Sequence, residues 1–384
     1  VYKRQEFVRV AERIEASSNP YLGRGQIAQL ERLLAEPGKP ESEQGNIHAQ
    51  LCREQLRLGD IDAAFAHLEI AQRLARESRA ELSLPLLKLE ATVHLRAAEV
   101  ANCVENHNAQ CCNFPLAGGG VHSDPKHAAE AERVLLEILS RNQDELQSQW
   151  LLNIACMALG EYPDGVPAAY RIPPGAFETE GPVGRFRDVA PQLGIDTLDL
   201  CGGVMVEDFD GDGWLDIVCS TSDPRGPLKF FRNGGDGGFE DLSDESGLAR
   251  QLGGLNCIAG DYDNDGDADI LVLRGAWLED QGTIRNSLLR NDGAGASGVP
   301  VEFSDVTATS GLGGFSYPSQ AAAWADFDND GHLDLYIGNE SRVGVGDVNG
   351  DYPNQLFRSN GDGTFSEVAV PAGVTNDRFC KGVT

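Results

Sequence analysis

Three nine-residue segments constrain this chain more than any other feature. Asp208–Asp216, Asp261–Asp269 and Asp326–Asp334 each place aspartate at positions 1, 3, 5 and 9 and glycine at position 6. Four carboxylates so close together repel one another unless a cation sits among them. Glycine at position 6 permits the sharp turn that brings them together. Hard oxygen donors at this spacing suit Ca²⁺, with the backbone carbonyl of position 7 as a further donor. The expected ligands are Asp208, Asp210, Asp212, Trp214 and Asp216 in the first loop. In the second they are Asp261, Asp263, Asp265, Asp267 and Asp269, and in the third Asp326, Asp328, Asp330, His332 and Asp334. One Ca²⁺ per loop is expected. A zinc site would need Cys or His side chains, and the one loop histidine, His332, sits where the backbone is used. An EF-hand would need a bidentate Glu at position 12 between helices. Cys219, Val272 and Ile337 stand there instead, in β-type apolar runs.

The loops sit inside a longer repeat. Phe186-Arg-Asp-Val189, Phe239-Glu-Asp-Leu242, Phe303-Ser-Asp-Val306 and Phe365-Ser-Glu-Val368 share an aromatic-x-acidic-aliphatic pattern, at Phe spacings of 53, 64 and 62 residues. A Gly-aliphatic pair follows each: Gly194-Ile195, Gly247-Leu248, Gly311-Leu312 and Gly373-Val374. Periods in this range point to a propeller or an array. The first unit reads as four strands: one near 202–207, then Leu215–Val218, Leu228–Phe231 and Phe239–Leu242, the last two joined by the hairpin Asn233–Gly238. The predicted fold is multidomain: an N-terminal all-α helical repeat, then all-β propeller blades of four strands each in an incomplete ring.

Residues 1–160 carry helical periodicity. Phe7, Val10 and Ile14 share one face, and Ile27, Leu30, Leu33 and Leu34 another. Further helices are expected at 47–58, 61–78, 81–105, 125–141 and 144–159, paired by short turns such as Leu58-Gly59. Such pairs suit a tetratricopeptide-like scaffold or a plain α-bundle. Residues 161–184 hold Tyr162-Pro-Asp-Gly-Val-Pro167 and Ile172-Pro-Pro-Gly175, which cannot continue a helix. They are expected to be a linker before the β domain at 185–384.

The formal net charge is −29. A phosphate backbone needs a basic footprint, so nucleic acid is excluded as a partner. No run of 18 apolar residues exists to span a bilayer. The chain opens Val1-Tyr-Lys-Arg4 without the apolar stretch of a signal peptide, and it closes Cys380-Lys-Gly-Val-Thr384, echoing Gly202-Gly-Val-Met205 ahead of the first Asp loop. It is therefore expected to be cut at both ends.

Asp-x-Asp-x-Asp-Gly-x-x-Asp within a Phe-Gly-type unit resembles the FG-GAP/VCBS repeats of integrin α-subunits and of the ASPIC/UnbV and cartilage acidic protein family. Asn286-Ser-Leu-Leu-Arg-Asn291 and Asn354-Gln-Leu-Phe-Arg358, each shortly before a Gly-rich turn, resemble the last group. The resemblance covers about 185–384. It implies a calcium-stabilised propeller, extracellular or periplasmic, that binds a protein or glycan ligand.

A second candidate site lies between the helices. Cys103, His107 and Cys111 would share one face if the helix ran that far, Cys112 follows, and His122 returns on a Gly-rich loop. The set fits a transition metal, a Cys103–Cys111 or Cys103–Cys112 disulfide, or buried thiols with an ordinary histidine. No GxSxG elbow, P-loop, HExxH or strand-linked GxGxxG is present. The expectation is a non-catalytic calcium-binding protein; the alternative is a metal-dependent or redox protein using residues 103–122. Trp214, Trp277 and Trp324 lie near loops and are expected in the blade core rather than as sugar platforms.

Overall fold

The computed structural model describes residues 2–17, 19, 21–77, 81–108, 110–111, 113–178, 181, 186–293, 301–341 and 352–383. The chain divides into two compact units: residues 26–194, and residues up to 25 together with 195–384.

The 26–194 unit is helical: α2 (Gly25–Ala35), α3 (Glu41–Arg57), α4 (Ile61–Glu77), α5 (Leu84–Glu99), α6 (Lys126–Arg141) and α7 (Leu146–Ala158). α3 packs on α4, α5 on α6 and α6 on α7. Their apolar stripes meet in successive layers. Ile27 and Leu30 of α2 meet Ile47 and Leu51 of α3; Cys52 and Leu68 meet Leu89 and Val93; Leu87 and Ala91 meet Leu135, Ile138 and Leu152. The supposed linker belongs to this packing. Val166 is buried among α6 and α7, with Tyr162 and Tyr170 against the same cluster. The Asn153 amide donates to Tyr170 O and its carbonyl accepts from Ile172 N. Prolines ended the helix, but the apolar side chains between them still found a core.

The other unit contains three four-stranded antiparallel sheets, each a meander in chain order. The first is β1 (Cys201–Glu207), β2 (Asp216–Thr221), β3 (Lys229–Asn233) and β4 (Phe239–Asp241). The second is β5 (Asn256–Gly260), β6 (Asp269–Leu273), β7 (Ser287–Asn291) and β8 (Phe303–Asp305). The third is β9 (Ser319–Ala325), β10 (Asp334–Asn339), β11 (Gln355–Ser359) and β12 (Phe365–Glu367). β1 lies beside β5, and β5 beside β9. Because strand side chains alternate, β6 feeds two cores. Ile270 and Val272 join Phe209, Phe230 and Phe303 on one side; Leu271 and Leu273 join Leu335, Ile337 and Phe365 on the other.

Two boundaries differ from expectation. α1 (Tyr2–Glu15) groups with the sheets rather than with the other helices. Its Phe7 and Ile14 are buried with Leu252, Leu278 and Ile284, and the Arg274 guanidinium lies 4.2 Å from the Phe7 ring centroid. The 186–189 segment is not a strand, and Phe186 is 90% exposed. A short strand needs a partner ladder, and no β3-like strand precedes this copy among the described residues. Its local ending is nevertheless the repeat's own. α8 (Ala190–Leu193) closes on left-handed Gly194 as α9 (Ala369–Ala372) closes on Gly373.

Candidate metal centres

The Asp loops connect β1 to β2, β5 to β6 and β9 to β10, so they occupy one corner of each sheet. Register fixes their mouths: Glu207 pairs Asp216, Gly260 pairs Asp269 and Ala325 pairs Asp334. Within the loops one hydrogen-bond pattern recurs. The position-1 carboxylate accepts from the amides of positions 5 and 6: Asp208 from Asp212 and Gly213 at 3.1 and 2.9 Å, Asp261 from Asp265 and Gly266 at 3.1 Å each, Asp326 from Asp330 and Gly331 at 3.1 and 3.0 Å. The position-5 carboxylate accepts from the amide of position 7, at Trp214, Asp267 and His332. These bonds fold the position-1 and position-5 side chains back onto the turn's own backbone.

Position 9 does something else. Asp216, Asp269 and Asp334 are 0, 0 and 1% exposed. One oxygen accepts from the amide of position 2 (Phe209, Tyr262, Phe327), each at 3.0 Å. The other accepts from the last strand residue across the sheet (Asn233, Asn291, Ser359), each at 2.8 Å. This strut role has no sequence signal, because its donors are backbone amides. Position 4 was also missed. Gly211, Asn264 and Asn329 all have positive φ (71°, 60° and 59°), as position 6 does. Glycine and asparagine are the residues that tolerate that region, so a Gly/Asn choice at position 4 was the available signal.

Carboxylate oxygens of Asp208, Asp210 and Asp216 lie within 4.8 Å of one another, as do those of Asp261, Asp263 and Asp265 and of Asp326, Asp328 and Asp334. The donors fit a hard cation. Asp263 Oδ1 is buried without a hydrogen-bond partner. Burial, then the crowding of neighbouring aspartates, pushes the Asp263 and Asp210 carboxyls above the ordinary range. Burial raises Asp216 to about 6 and Asp269 to about 7 against their amide bonds. A group that resists ionising for want of positive charge is what a dication would relieve.

The second candidate set does not assemble. α5 gives way to a π-helical turn at Val100–Val104 and stops there, so no helix carries Cys103, His107 and Cys111 on one face. Cys103 Sγ lies 3.7 Å from His122 Nε2. His107 instead pairs Asp188 at 3.1 Å. Cys111 is a free thiol that receives a hydrogen bond from the Asn108 amide, so no Cys103–Cys111 disulfide forms. Cys112 lies outside the described residues. Of the tryptophans, Trp324 packs against the core shared by the second and third sheets. Trp214 and Trp277 are 53 and 42% exposed, against expectation. Trp214 lies over Gly235 of the β3–β4 hairpin, where a Cβ would strike its indole at 2.4 Å.

A strand meander with an acidic loop at the same corner, repeated three times, is a repeat module, and the family model for the FG-GAP-like repeat matches residues 184–272. The chain thus carries FG-GAP-like repeat sequence. It is also homologous to cartilage acidic protein 1. The Xenopus tropicalis protein is 29% identical over 174 residues, covering 44% of this chain and 24% of the relative. The human protein is 29% identical over 178 residues (46% and 24%), and the mouse protein 29% over 194 residues (50% and 27%). The chain therefore spans about a quarter of the length of these relatives.

Proposed function

We propose that the β unit is part of a calcium-stabilised β-propeller and that the protein is a non-catalytic, extracytoplasmic binding protein. One observation carries this: three loops with one backbone hydrogen-bond pattern, each bringing three aspartates together, stand at one corner of three equivalent sheets. Each loop would hold one Ca²⁺ through its aspartates at positions 1, 3, 5 and 9 and the carbonyl of position 7 (Trp214, Asp267 or His332). Bound calcium supplies the positive charge that the converging carboxylates lack.

The inter-sheet contacts support blades of a ring. Phe303 of β8 packs edge-on against Phe209 and Phe230 of the preceding sheet, and Phe365 of β12 meets Tyr262 of the preceding sheet at 5.9 Å. Phe303 and Phe365 thus each seat on the position-2 aromatic of the preceding sheet's loop. Phe327, the third such aromatic, is 46% exposed. The α3–α4 and α5–α6 hairpins serve as a tetratricopeptide-like scaffold. The ligand is a protein or glycan. An extracellular or periplasmic setting rests on the likeness to FG-GAP-like repeats and to cartilage acidic protein 1.

Calorimetric titration with Ca²⁺ tests this. Three equivalents are expected, with one lost in each of Asp210→Asn, Asp263→Asn and Asp328→Asn. A chain that takes up no Ca²⁺ overturns the assignment.

A further inference from the structure

Four of the seven histidines in the chain stand in two pairs inside the helical unit, away from residues 103–122. His48 of α3 meets His67 of α4 with 2.9 Å between their Nδ1 atoms. His94 of α5 meets His127 of α6 with 3.1 Å between theirs. We propose that each pair is a chelating site for a tetragonal transition-metal dication, Cu²⁺ or Ni²⁺, that clips its two helices together.

Distance allows chelation, and ligand type selects the metal class. Two nitrogens about 2.05 Å from one ion lie about 2.9 Å apart when they are cis ligands at a right angle, and about 3.3 Å apart at the tetrahedral angle. The separations of 2.9 and 3.1 Å fall within this chelating range, and imidazole nitrogen binds Cu²⁺ and Ni²⁺ ahead of the other divalent first-row metals, with Cu²⁺ above Zn²⁺. In the absence of metal, one imidazole of each pair donates an N–H and the other accepts. Transfer of that proton from Nδ1 to Nε2, a tautomer change that leaves the imidazole neutral, frees both Nδ1 lone pairs for one ion.

The rings are held for this. The His48 and His67 ring centroids are 5.2 Å apart at 36°. Phe65 stacks on His127 at 5.4 Å and meets His94 edge-on at 5.0 Å, while the two imidazoles lie 5.3 Å apart at 34°. Burial keeps all four below the ordinary histidine range, so the neutral, ligating form prevails at neutral pH. His67, His94 and His127 are half-buried, which leaves a route for the ion and for the waters that complete its shell. Glu130, one turn beyond His127, is engaged by Arg133 at 2.9 Å, so those remaining positions fall to water.

The test is Cu²⁺ titration of the full chain with Ca²⁺ in excess to occupy the Asp loops, read by calorimetry and by electron paramagnetic resonance. Two equivalents with nitrogen superhyperfine structure are expected, with Zn²⁺ at least about tenfold weaker. His67→Ala removes one equivalent and His127→Ala the other. His332→Ala removes neither. Circular dichroism checks that each variant is folded; should one not be, His94→Gln and His48→Gln replace it, since glutamine keeps a polar group at each site without an imidazole donor. Copper uptake that lacks nitrogen coupling, or that persists unchanged in folded variants of both pairs, overturns the proposal.

Discussion

Asp216, Asp269 and Asp334 differ from the other loop aspartates in what they hold. Each spends both oxygens on backbone amides, one in the loop and one on the neighbouring strand, and so ties the two together. Asp263 keeps one oxygen unpartnered. The two kinds should therefore separate on mutation. Asp269→Ala leaves the Tyr262 and Asn291 amides buried and unpaired, and should cost about 2–4 kcal/mol in EGTA as well as in Ca²⁺. Asp263→Asn removes a crowded charge. In EGTA its melting temperature should equal or exceed that of the parent, while the gain on adding Ca²⁺ shrinks. Paired thermal melts check both. The ligating pattern was legible in sequence because position and chemistry coincide within nine residues. The strut was not, since its partners lie 17, 22 and 25 residues away and include both Asn and Ser. Nothing in their identity marks them.

Among elements, the packing of one sheet on the next is concentrated in the repeated Phe. Phe303→Ala opens a cavity among Phe209, Phe230 and Val272 and should cost about 3–5 kcal/mol in chemical denaturation. Phe186→Ala, at an exposed copy of the same motif, should change stability by no more than about 0.5 kcal/mol. The motif was visible in sequence, and the strand it makes depended on a neighbouring ladder that, among the described residues, three of the four copies have. Helix α1 shows the same limit. Its 3.6-residue stripe announced a helix, but a stripe does not say which core it covers, and Phe7 found Arg274 and Leu278 rather than α2.

The helical unit carries its own pH dependence. Burial lowers His48, His67, His94 and His127, with His94 at about 4. Arg73 adds to this at His48, and Lys126 and Arg133 at His94; Glu31, Asp124 and Glu130 oppose it. The unfolded chain takes up protons near 6.5 and the folded unit does not, so stability is full above that value and falls as pH drops from about 6.5 toward 4. Melts monitored by the helical circular dichroism signal at pH 7.5 and 5 should show the loss, and His94→Gln should reduce the slope.

For the whole molecule, the two units obey different balances. The helical unit closes on apolar layers. In the β unit the sheets are built from short strands whose corners gather carboxylates, and the chain as a whole carries a net charge of −29. Free Ca²⁺ at a hundredfold excess over its dissociation constant would add about 2.7 kcal/mol per occupied site, and three sites on neighbouring sheets act on one folded unit. Removal of calcium should thus lower the β unit selectively. The most direct measurement is the melting temperature of this unit, followed by tryptophan fluorescence, in excess Ca²⁺ and then in EGTA. Loop occupancy by calcium predicts a large fall in EGTA that is restored by returning Ca²⁺. An unchanged melting temperature would contradict it.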